Sequence, residues 1–169
     1  MKGQTIGKIM PHGYAGSYAR QPDMVVDTHP LGGKEPITFG QALKYDTDGA
    51  VVLLGAGSAA TDFAGIAARE IKSSINYLEQ NKGQYYPYDA VPVFKRGCIN
   101  VICQNGIPAL AGKVYVRIAD NEAYPNAAIG GFEAAADGAN TVELTNAQWK
   151  GPADANGVAE LRILTINKA

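Results

Sequence analysis

Residues 113–120 read KVYVRIAD, and in an extended chain Val114, Val116 and Ile118 fall on one face while Tyr115 and Arg117 fall on the other. A repeat of two is the repeat of a β-strand with one face dry and one wet. The same alternation returns in TVELTNA (141–147), where Val142 and Leu144 oppose Thr141, Glu143 and Thr145, and in AELRIL (159–164), where Leu161 and Ile163 flank Arg162. Gly, Pro or Asn stands between these segments. Short alternating runs separated by turn residues point to a mainly antiparallel β-domain.

Working toward the N-terminus, PITFGQALKYDTDGAVVLL (36–54) carries a strand-like run through Ile37, Phe39, Ala42, Leu43 and Tyr45. Asp-Thr-Asp-Gly at 46–49 is a turn, because Asp tolerates tight turns and Gly supplies positive φ. A short apolar strand follows at 50–54. Over 61–81 the spacing of Ile66, Ile71, Ile75 and Leu78 approaches that of a helix, but Gly65 interrupts its first turns. The expected division is a strand through about Ile71 and a short helix or loop over 72–80. Residues 1–36 hold ten Gly and Pro positions, from Gly3 to Pro36, and neither period survives them. They read as an extended N-terminal arm that becomes ordered against a partner, leaving 37–169 as the β-domain. The fold class is therefore all-β: a small antiparallel barrel-like or sandwich-like domain with at most one short helix.

The chain has 169 residues, 46% hydrophobic and 18% charged, with a formal net charge of −1. That length suits one domain with a sizeable core. Without a basic excess there is little to attract a phosphate backbone or an acidic membrane surface, so neither nucleic acid nor membrane is an expected partner. No apolar run suits a signal peptide or a membrane span, which reads as a protein made in a reducing cytosol.

Candidate chemistry is sparse. VVLLGAGSAA (51–60) runs a strand into Gly55-x-Gly57-x-x-Ala60, which matches the opening of a dinucleotide-binding loop. That function needs a parallel β-α-β unit and an acidic residue closing the next strand, and Glu79 is at the right distance but not at a strand end. A nucleotide-binding enzyme using Gly55–Ala60 stays as an alternative, as does a carbohydrate-binding β-module, which would need an exposed Trp149. The two histidines, His12 and His29, lie in the breaker-rich leader without a Cys or carboxylate at ligand spacing, so no metal is expected. Cys98 and Cys103 are the only cysteines. Their odd separation puts them on opposite faces of one strand, roughly 16 Å apart, beyond disulfide reach. They read as inert core thiols. No catalytic residue and no cofactor are expected.

Tyrosine is abundant: nine, against four Phe and one Trp. Tyr45 and Tyr115 suit half-buried strand faces. Tyr14, Tyr18 and Arg20 in GYAGSYAR, and Tyr85, Tyr86 and Tyr88 in GQYYPYD, lie where no sheet face is evident. Tyr and Arg give large contact area at low entropic cost, so these six are the candidate interface residues.

The order of segments resembles the capsid cement, or head decoration, proteins of tailed bacteriophages. The resemblance runs from PHGYAGSYARQPDMVVDT (11–28) through PITFGQAL, DFAGIAARE, YDAVPVFKRGCINV, AGKVYVRI and GGFEAAADGANTVELTNAQW to NGVAELRIL. It departs at 72–88, where a longer tyrosine-bearing insertion sits. The resemblance implies a small β-domain that binds the major capsid protein on the outer surface of an expanded head, as a homotrimer, within the virion. It implies no catalytic residues.

Overall fold

The computed structural model describes residues 11–70 and 82–167. Among them every regular element is a strand apart from two 3₁₀ turns, Ala60–Asp62 and Gly138–Asn140. The strands are β1 (Tyr18–Pro30), β2 (Ile37–Thr38), β3 (Ala42–Tyr45), β4 (Val51–Leu53), β5 (Phe63–Ala67), β6 (Gln84–Tyr85), β7 (Ala90–Ile102), β8 (Val114–Arg117), β9 (Phe132–Glu133), β10 (Thr141–Leu144), β11 (Ala147–Trp149) and β12 (Val158–Ile163). The all-β expectation holds, in its sandwich form: the sheets do not close into a barrel. The strand foreseen through Ile71 ends at Ala67, and the helix or loop foreseen over 72–80 lies outside the described residues.

Seven strands form the principal sheet in the order β11-β12-β7-β5-β3-β4, with β1 also paired to β7. A three-stranded sheet, β10-β8-β9, and a two-stranded ribbon, β2-β6, complete the molecule. Every strand pairing is antiparallel. The Asp46–Gly49 turn closes the β3–β4 hairpin as its residues dictate, with Gly49 at φ +75° and the Asp46 N–H donating to Ala50 O.

Two cores result. The larger lies between the three-stranded and principal sheets: Val114, Val116, Phe132 and Leu144 meet Phe94, Ile99, Val101, Leu161, Ile163 and Trp149. The smaller gathers Leu31, Leu43, Val51, Val91 and Val93 against Ile37 and Tyr85 of the ribbon. Each large apolar side chain removed from water in these clusters contributes on the order of 1.5–3 kcal/mol. β7 serves both cores, sending Val91 and Val93 to the smaller and Phe94, Ile99 and Val101 to the larger. Phe94 and Ile99 are an odd number of residues apart, so a regular strand would send them to opposite faces. The offset occurs at Gly97, whose φ is +114°. There β1 crosses so closely that a Cβ on Gly97 would stand 2.1 Å from the Asp23 carbonyl oxygen. In the same place the β1–β7 register slips, with Arg20 opposite Cys98 but Val25 opposite Arg96. This is a bulge that lets one strand serve two layers.

Two expectations are corrected. The leader reads as an arm to residue 36, yet Tyr18–Pro30 is a 13-residue strand of the principal sheet. Its partner strand β7 is remote in sequence, and its bulge and prolines erase the alternation by which a strand is recognised. The β8 face read as wet is also partly dry. Arg117 and Glu133 are fully buried as an ion pair, Nε to Oε1 at 2.5 Å, and Arg117 Nη1 reaches Asp137 Oδ2 at 2.9 Å. Asn105 Nδ2 donates to Glu133, Asn121 Nδ2 donates to Asp137, and the Tyr124 ring lies 5.5 Å from the guanidinium.

Candidate assembly interface

The cysteines do what their spacing implied. Both are free thiols; Cys103 packs beside the larger core, while Cys98 faces the other way. Cys98 is not surrounded by apolar groups, however: burial and the adjacent Glu160 carboxylate push its thiol up. Gly55–Ala60 is followed by the 3₁₀ turn Ala60–Asp62 and then by β5, antiparallel to β3, so the loop opens no helix and belongs to no β-α-β unit. Trp149 is fully buried, which removes the aromatic platform on which a sugar-binding groove would rest. Among the described residues no three His, Cys, Asp or Glu side chains converge as a metal site requires.

The six candidate interface residues fall into different environments. Tyr14 is 68% exposed, its ring lying 4.4 Å from the Arg69 guanidinium. Tyr18 is half-buried, stacked on Phe94 at 5.7 Å with its hydroxyl donating to Glu70 at 2.8 Å. Arg20 grips Glu160 with two hydrogen bonds, Nε to Oε1 at 2.5 Å and Nη2 to Oε2 at 2.9 Å. Burial raises the Glu160 carboxyl, but the hydrogen bonds from Arg20 and Cys98 and the charges of Arg20 and Lys150 together outweigh it and hold the group below the usual glutamate value. Tyr86 is half-buried, with its N–H donating to Asp89. Tyr88 is 90% exposed at φ +71°, a backbone region that costs a non-glycine residue about 1 kcal/mol or more. Tyr85 is the correction: it is fully buried, its hydroxyl donating to Ala68 O at 2.5 Å and its ring edge-on to Phe39. A two-residue strand is too short to show in the sequence that one tyrosine of the pair points inward.

Sequence reasoning missed the root of the leader. The His12 N–H donates to Asp154 Oδ2 at 2.8 Å, and His12 O accepts from Asn100 Nδ2 at 2.8 Å. Gly16 N–H donates to Asn100 O, and Asn100 N–H to Ser17 O. Asp154 also accepts from the Asn156 and Val158 N–H groups, shaping the turn that leads into β12. A polar Asn in a strand and an Asp in a turn look ordinary in sequence; only their distant partners reveal a clamp. Desolvation pushes the Asp154 carboxyl up, but the His12, Val158 and Asn156 amides prevail and hold it below the ordinary value. A depressed carboxyl contributes stability that is present above the unfolded value near pH 3.9 and is lost as pH falls through the folded value. Acidification is therefore expected to release the leader at its root. Asp154→Ala is expected to do the same at neutral pH, seen as faster amide exchange at His12 and Gly16; unchanged exchange at both would refute the clamp.

A β-sandwich whose exposed features are held aromatic and ionic groups, on a pinned leader, has the character of a structural module. The family described as structural cement protein (E217 gp24/Pam3 gp6) matches residues 3–164, and the chain belongs to this family of phage cement proteins. Membership places it in the virion, on the capsid surface, in a structural role. No curated protein matches the chain. Among solved structures, a chain from the capsid of Myoviridae phage XM1 is similar at a TM-score of 0.71, covering 98% of this chain and 99% of that one at 18% identity. The likeness shows a shared fold.

Proposed function

We propose that the protein binds the outer surface of the shell built by the major capsid protein, as a homotrimer, and stabilises the expanded head. The observation that carries this reading is the pinned root of the leader. Residues 1–10 continue from a point fixed by Asn100 and Asp154, so any contact they make with a neighbour is transmitted to the principal sheet without slack. Exposed Tyr14 and Tyr88 add the side chains that dominate interface energetics. Three copies about one axis multiply modest contacts through effective concentration.

The test is reconstitution on expanded heads stripped of cement protein. Full-length chain is expected to bind to saturation and to raise the temperature at which heads rupture, and its solution mass should be that of a trimer. Deletion of residues 1–10 leaves β1 intact and should lower occupancy without lowering the melting temperature, as should Tyr14→Ala with Tyr88→Ala. Equal head occupancy by the truncated and full-length chains would eliminate the leader as a contact.

A further inference from the structure

We infer that the loop joining β7 to β8, Gln104–Lys113, is a preformed apolar knob that seats in an uncharged hollow of the capsid shell; this rests on the shell-binding function proposed above. The loop reads QNGIPALAGK. Ile107 is 88% exposed and Leu110 is 71% exposed, while Pro108 between them is buried. Single exposed apolar residues are commonplace, but two at one loop tip, held rigid, are not.

The rigidity is built from both ends. The Ala111 N–H donates to Trp149 O at 2.8 Å, the Trp149 N–H to Gly112 O at 3.1 Å, and the Gly112 N–H to Ala109 O at 2.9 Å. At the other end the Ala134 N–H donates to Asn105 O at 2.8 Å. Gly106 lies so near the Ala134–Ala135 backbone that a Cβ would stand 2.7 Å from Ala135 N. Ala111 is held at φ +60°, a left-handed conformation unfavourable for a residue with a Cβ. A loop kept in a strained shape with its largest apolar groups in water is organised for a partner, because ordering costs are met before binding.

The position of the knob identifies that partner. The Cys103 N–H, at the knob's base, donates to Gly157 O, and the Gly157 N–H donates to Asp154 O, the residue that pins His12. The knob, the half-exposed Ile102 and the leader root thus share one turn and one end of the molecule. The knob thus stands beside the described root of the segment proposed above to contact the shell, and the shell is the partner assigned to it. From Gln104 to Gly112 the loop carries no charge, so it fits an apolar hollow. One open hollow beside β3 and β5 mixes Lys44, Asp62 and Asn167 with Tyr45, Phe63 and Ala64, so it offers a second copy's knob no uniformly apolar seat.

The experiment compares wild type with Ile107→Ser/Leu110→Ser and, separately, Ile107→Lys on cement-free expanded heads. Both substituted side chains are solvent-facing, so melting temperature and oligomeric mass are expected to match wild type. The concentration giving half-saturation should rise at least about tenfold for both variants. Wild-type binding with unchanged half-saturation in either folded variant would overturn the knob. A variant that loses the wild-type oligomeric mass would overturn the choice of the shell in favour of a contact between copies. Failure of wild type itself to bind heads would instead overturn the shell-binding function, and the knob's assignment with it.

Discussion

Replacing Arg117 by methionine is expected to lower the unfolding free energy by roughly 3–5 kcal/mol, because the change strands a buried carboxylate. Arg117 and Glu133 are both inaccessible to solvent, and Glu133 otherwise has the Asn105 amide for company. The paired substitution Arg117→Met/Glu133→Leu should recover most of that loss, since removing both charges also removes both desolvation penalties. Asp137 retains the Asn121 amide and some access to water, so it tolerates the loss of the arginine. Urea denaturation of the three proteins decides the matter. A single-substitution cost under about 1 kcal/mol would mean that water reaches the pair and that its burial is energetically empty. In the native chain the cluster ties β8, β9 and the loops bearing Asn121 and Asp137 into one unit, which a purely apolar layer would leave free to slide.

Gly97→Ala is expected to cost more than about 3 kcal/mol, again by urea denaturation. A methyl group there meets the Asp23 carbonyl at 2.1 Å and demands φ +114° of an L-residue. Either β1 lifts away from β7 or β7 straightens, and a straight β7 cannot send Phe94 and Ile99 to the same core. Gly151→Ala is the matched control. Nothing lies within 4 Å of a Cβ at that position, and the change should fall within about 0.5 kcal/mol. Equal costs at the two sites would show that the bulge yields cheaply and that β1 does not depend on it.

What the sequence disclosed follows from range. β8, β10 and β12 show their alternation because each faces one core with a regular ladder, and the Asp46–Gly49 turn is written in four consecutive letters. The long strands are harder. β1 carries Pro22 and Pro30, and its slip against β7 spans Arg20 to Val25, so neither face keeps a steady period. β7 has apolar residues on both faces because both are covered. The burial of Arg117 depends on carboxylates that topology brings in from β9 and the loop before β10. The same is true of the leader root: His12 meets Asp154, 142 residues away. Of the tyrosines, exposure separates Tyr88 from Tyr85, and no local pattern distinguishes neighbours in QYYPY.

The leader's attachment has a mechanical meaning. Beyond the Asn100–Asp154 clamp, the chain passes directly into β1, which lies antiparallel along β7 from Ile99 to Ala90. Its ladder bonds run across the strand direction. A tug on the N-terminus along that axis therefore loads these bonds side by side in shear, whereas a tug across it would peel them open one at a time. In the shell-bound state proposed above, a load drawn along the leader would meet the whole length of the β1–β7 ladder at once.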